Sequence, residues 1–172
     1  MSDVVLVDAT TLIALGSVGR VDLLANFDGD VLVPETVVDE VTTEPARTNV
    51  STFLDSQQVT DSVSEEAVAD AQRLLGDECV HGDVELVAGV RSHHADDRSV
   101  AVVSDDRRVR AVAEGLGATV TGTVGVIVRA VHEGIDPENA KALVREIDSH
   151  GLHMTGELRE KAFELIDDAA GD

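Results

Sequence analysis

The chain has 172 residues, 43% of them apolar, and carries 34 Asp and Glu against 13 Lys and Arg, a net charge of −21. That length suits one domain around one sizeable core, and the apolar residues fall in periodic blocks, which excludes a disordered acidic tail. The single cysteine, Cys79, excludes an internal disulfide and cannot by itself build a thiolate zinc site; with no basic leader and no run of about 20 apolar residues, a cytoplasmic protein is expected.

In chain order, Val4 to Val7 is an unbroken apolar run and predicts a buried strand ending at Asp8. Thr10 is placed to cap a helix through Leu12, Ile13 and Leu15, which passes a loose Gly16 to Gly19 region and resumes with Val21, Leu23 and Leu24. Asp30 to Val33 predicts the next strand. Pro34 then suits the first turn of a helix burying Val37, Val38 and Val41, with Glu40 beside that face.

Residues 42–64 are polar and weakly periodic, so a short helix near Phe53 and Leu54 is expected there, in an arm serving as a lid or facing a partner. Ser64 caps a helix carrying Ala67, Val68, Ala71, Leu74 and Leu75, broken at Gly76-Asp77-Glu78. Gly82 opens another, which puts Glu85 in a first turn where the helix dipole favours a carboxylate. The run His93-His94-Ala95-Asp96-Asp97 reads as the solvent end of that helix, because adjacent histidines point apart, and Cys79 and His81 read as loop residues.

Val100 to Val103 predicts a strand leading through Ser104 to Asp105 and Asp106, one of which caps a helix with Val109, Val112 and Ala113. Gly115 and Gly117 bracket the turn into a short strand, Ala118 to Val120. Thr121-Gly122-Thr123 opens a helix through Val124, Ile127, Val128 and Val131. Further helices occupy about 137–168: one capped by Asp136-Pro137, and a last one from Thr155 to Asp168 with Leu158, Ala162, Leu165 and Ile166 inside. Strands alternating with helices predict an α/β fold on a parallel sheet, whose carboxyl edge gathers acids far apart in sequence. Carboxylates gathered in that way need a cation.

The order of VLVDATTLIALGSVGRVDLL, VLVPETVVDEV, GDVELVAGV and VVSDDRRVRAVAEGLGATVTGTVGVIVRA resembles a PIN domain, specifically its VapC-like branch of toxin ribonucleases and orphan relatives. The resemblance covers nearly the whole chain, taken as a single domain over 1–172. It implies a three-layer α/β/α fold with a mainly parallel sheet of about four to five strands, Mg²⁺ or Mn²⁺ as cofactor, RNA as substrate, an antitoxin partner and a homodimer. Carried over by position, it implies a catalytic, metal-binding set of Asp8, Glu40, Glu85 and Asp106. Thr10 matches a hydroxyl two residues after the first acid, Ser104-Asp105 the pair before the last, and Asp83 stands where the family has glutamate.

Hard divalent cations prefer oxygen ligands and keep waters beside one or two carboxylates. Asp8 and Asp106 are therefore expected as direct ligands, with Glu40 and Glu85 binding through water or positioning the nucleophile. Arg107, Arg108 and Arg110 form the densest basic run and are candidate RNA contacts, or ordinary ion pairs on a helix. With only Lys141 and Lys161 as lysines and only Phe27, Phe53 and Phe163 as aromatics, the composition resembles that of salt-in halophilic archaea, where molar salt shortens the Debye length to about 3 Å. Most of the acids then serve solvation. A catalytically silent nucleic-acid- or protein-binding module is the alternative; a phosphoacceptor domain lacks a lysine at a late strand end.

Overall fold

Four apolar residues in succession form a strand buried on both faces, and Val4–Val7 (β1) accordingly occupies the centre of the sheet with all four side chains buried. In the computed structural model of the chain, which describes residues 1–57 and 60–171, Asp30–Pro34 (β2) and Thr60–Asp61 (β3) lie in that order on one side of β1, and Val100–Val103 (β4) and Thr119–Thr121 (β5) on the other. Every pairing among these strands is parallel. Because the chain moves outward from β1 through β2 to β3 and then crosses back to β4, the topological switch lies between β1 and β4.

Register decides what leaves the sheet at that point. Val4 is level with Val100 and Val7 with Val103, so Asp8 and Ser104 emerge side by side. The Asp8 N–H donates to the Val103 carbonyl at 3.0 Å, and the Ser104 N–H to the Thr121 carbonyl at 2.9 Å, which brings the end of β5 to the same place.

Helices flank the sheet in two groups. Ala9–Ser17 (α1), Ala46–Gln57 (α3), Thr123–His132 (α7), Pro137–Ser149 (α8) and Gly156–Gly171 (α9) pack among themselves. Glu65–Leu75 (α4), Gly82–Ala95 (α5) and Arg107–Gly115 (α6) form the other group, with Glu35–Glu40 (α2) against α5. This is the three-layer α/β/α arrangement around a parallel sheet that the resemblance implied.

Several local expectations change. Asp8, not Thr10, caps α1: the backbone is extended at Asp8, so its carboxylate reaches the Thr11 N–H, and Thr10 lies exposed within the helix. Val21–Asn26 is a separate 3₁₀ turn, not a continuation of α1. Most of the segment expected as a polar arm is α3, packed on α1 through fully buried Ala46 and Val50, while Phe53 and Leu54 are half-buried; Gln58 and Val59, within the same segment, lie outside the described residues, as does Asp172. His93 is buried although the helix ends two residues later, and Leu74, Leu158 and Leu165 are exposed where burial was expected. In each helix the inner face is centred on neighbours (Ala71 and Leu75; Ala162 and Ile166), and a rotation of some tens of degrees about the axis leaves the exposed leucines outside it.

Candidate active site at the ends of β1 and β4

Asp8 ends the central strand and is only 4% exposed. One carboxylate oxygen accepts the Thr11 N–H at 2.8 Å as the cap of α1, and the other accepts the Ser104 hydroxyl at 2.6 Å. Burial raises its pKa above the ordinary aspartate value; the hydrogen bonds from Ser104 and Thr11 draw it back, and the charge of Asp105 pushes it up again. The partners that satisfy this carboxylate are thus neutral, and the charge that acts on it from Asp105 is of the same sign.

Ser104, fully buried, ties that acid to the next strand end. Its hydroxyl oxygen accepts the Asp106 N–H at 3.1 Å while its proton goes to Asp8. Asp106 is exposed and caps α6, one oxygen accepting the N–H groups of Arg108 and Val109 at 2.8 and 3.0 Å. Asp105, half-buried, turns the other way and holds the start of α7 through the backbone N–H of Thr123 at 3.0 Å and its hydroxyl. The two acids, either of which was expected to cap one helix, therefore serve two helices.

Glu40 and Glu85 come together in another way. Glu40, the last residue of α2, accepts the Gly82 N–H at 2.8 Å and so caps α5; Glu85, in the first turn of α5, accepts the Thr36 hydroxyl at 2.7 Å at the start of α2. Each helix start receives a carboxylate from the other helix, the arrangement that the helix dipole favours. Gly82 makes this approach available, since a Cβ there would stand 2.8 Å from the Glu40 carboxylate oxygen and 3.0 Å from Val37.

The basic run divides by role. Arg108 donates to Asp77 at 2.9 Å and to Asp83 at 3.3 Å, pinning the loop before α5 to the start of α6; this pairing lowers the pKa of Asp77 and commits Asp83 to a cation of the chain itself. Arg110 donates to the Ser104 carbonyl at 3.2 Å, and Arg107 is exposed on the first turn of α6. Thr11, Thr36 and Thr123 carry no motif in the sequence, yet each binds one of the acids. A buried hydroxyl cannot be distinguished from an exposed one by residue type; only Thr123, beside glycine at a predicted helix start, had a local signal.

Oxygen donors from Asp8, Asp105, Asp106 and neighbouring hydroxyls suit a hard divalent ion, which takes one or two carboxylates and fills its remaining positions with water. Among the described residues, however, no three His, Cys, Asp or Glu side chains converge as a ready ligand cage. The acids stand near one sheet edge with their oxygens held by helix ends. None of the described helices is long and apolar enough to cross a membrane.

A family model described as PIN domain matches residues 4–168. No curated protein and no solved structure matches the chain significantly. The match spans β1 through most of α9 and so contains the whole strand-end site together with both helical layers. The chain belongs to the PIN-domain family.

Proposed function

We propose that the chain is a Mg²⁺- or Mn²⁺-dependent endoribonuclease that hydrolyses RNA phosphodiester bonds at the ends of β1 and β4. The observation that carries this reading is Asp8: a carboxylate 4% exposed, at the topological switch of a PIN-domain sheet, held by neutral donors and feeling the charge of Asp105. Such a group raises the free energy of the protein unless a cation joins it. Asp8 and Asp106 would hold the ion, with Asp105 beside them, and Glu40 and Glu85 would orient water from their places on α2 and α5. A divalent ion there would neutralise the attacked phosphate and lower the pKa of a bound water. Incubation with RNA, Mn²⁺ and molar salt is expected to give cleavage that Asp8→Asn abolishes; unchanged cleavage in that variant rules the site out.

Within this reading the chain is the toxin of a toxin–antitoxin pair of VapC-like type, a homodimer in the cytoplasm of a halophilic archaeon. A gene for a small DNA-binding antitoxin beside this one would support the pairing, and light scattering in molar salt reads the dimer. A second reading, a catalytically silent module that binds nucleic acid or protein, is favoured by the helix-capping roles that already occupy Glu40, Glu85 and Asp106. Titration with Mn²⁺ separates the two, because the silent module has no measurable affinity.

A further inference from the structure

We infer that Thr123 is a positioning residue for the acidic centre: its N–H and hydroxyl together grip Asp105, and its oxygen meets Thr11, whose N–H is bound by Asp8. The inference rests on the reading of the strand ends as a metal centre. Thr123 and Thr11 are both fully buried, and their hydroxyl oxygens lie 3.2 Å apart. A threonine hydroxyl has one proton. The Asp105 carboxylate receives that of Thr123, and the Thr11 hydroxyl lies within reach of both the Thr123 oxygen and the Asp8 carboxylate. The residue that caps nothing by itself becomes the junction of three elements, namely the turn after β4, the start of α7 and the first turn of α1 whose cap is Asp8.

Close packing reinforces the grip. A Cβ at Gly122 would collide with the Asp105 carboxylate, which therefore lies flat against the backbone entering α7. Arg110 reaches the same spot and donates to the Ser104 carbonyl at 3.2 Å. Two like charges at one sheet edge repel, and an unrestrained Asp105 would rotate toward water; two donors from one residue oppose that rotation. With Asp105 joining Asp8 and Asp106 as a ligand, Thr123 would be one step removed from the metal, and partners of that kind typically contribute 10- to 100-fold to its affinity.

The test is Mn²⁺ affinity of the full chain, measured by calorimetry in molar KCl and accompanied by thermal melts of the same samples. Thr123→Val keeps the shape and removes the hydroxyl, and is expected to bind Mn²⁺ about 10- to 100-fold more weakly, whereas Thr123→Ser stays close to wild type. A residue that merely caps α7 gives a lower melting temperature for Thr123→Val with unchanged affinity of the folded protein, and that result overturns the inference. If Thr123→Val does not fold, Thr123→Ala, which also lacks the hydroxyl, replaces it: weaker binding supports the inference and unchanged binding defeats it. Wild-type protein without Mn²⁺ affinity defeats both this inference and the metal-centre reading. Affinity lost in Asp8→Asn but kept in Thr123→Val defeats this inference alone.

Discussion

Replacing Ser104 with alanine removes the hydroxyl that joins Asp8, after β1, directly to the end of β4. Where Asp8 is ionised, the hydroxyl proton satisfies a charged, buried oxygen at 2.6 Å, and such bonds contribute about 1.5–3 kcal/mol. The Asp106 N–H, which loses its acceptor at 3.1 Å, sits at the rim where water replaces it at little cost. The expected loss is therefore about 2–3 kcal/mol, and at about 2–4 °C per kcal/mol for a domain of this size the melting point falls by about 4–12 °C. The pH dependence is the sharper part. The Asp8 pKa in the folded protein is raised above 3.8, chiefly by burial, and Ser104 opposes that rise by favouring the charged form. Without Ser104 the folded pKa climbs further, so the variant binds more protons than wild type between the two values and loses relative stability as pH rises through them. Below both, Asp8 is protonated and the missing bond is a neutral one worth about 0.5–1.5 kcal/mol, so the penalty shrinks on acidification. Urea unfolding of both proteins in fixed molar salt, from pH 7 downward, measures this. A penalty that is independent of pH, or well below about 1 kcal/mol at neutral pH, would refute the placement of a charged Asp8 against Ser104.

Asp8→Asn separates stability from activity. Because burial disfavours the charged form, the amide avoids a penalty that wild type carries above its raised pKa, so the metal-free variant at pH 7 is expected to be at least as stable as wild type, with the difference fading as pH falls through that value; urea unfolding reads this, and a large loss at pH 7 contradicts it. Gly82→Ala drives a methyl group against Glu40 and Val37 and is expected to cost about 1–3 kcal/mol, measured in the same way, with RNA cleavage falling as Glu40 is displaced. If the basic run contacts RNA, Arg107→Ala is expected to lower the slope of log affinity against log salt by about 0.7, the value for one phosphate contact on a single strand. Arg108→Ala, whose guanidinium is already engaged by Asp77 and Asp83, is expected to change stability by no more than about 1 kcal/mol, since these pairs are half-exposed.

Strand positions were legible where a run was purely apolar. Val4–Val7 and Val100–Val103 match their expected bounds because only a strand covered on both faces tolerates such runs, and β5 moved by a single residue. Helix faces were less legible, since a 3.6-residue period puts Leu158 and Ala162, about 40° apart around the axis, on one inner face, whereas the structure buries only Ala162. The segment after α2 misled for a related reason: α3 buries Ala46 and Val50 against α1, and small side chains leave a weak periodic signal.

The acids show the same division. Local sequence placed Asp8, Asp105 and Asp106 after apolar strands and Glu85 in a first helical turn, because strand runs and helix starts are short-range patterns. Which acid meets which partner was settled only by the parallel register that sets Val7 beside Val103, and by the crossings that set α2 against α5 and the start of α7 against the turn after β4 and α1. Asp105 and Thr123 are 18 residues apart, and Glu40 and Gly82 are 42 apart. Hydrogen bonds over such separations form only once the sheet has fixed where its strands end. The sequence by itself thus determined the elements and a surplus of candidate carboxylates, and the tertiary structure decided which are buried, which cap helices and which face one another.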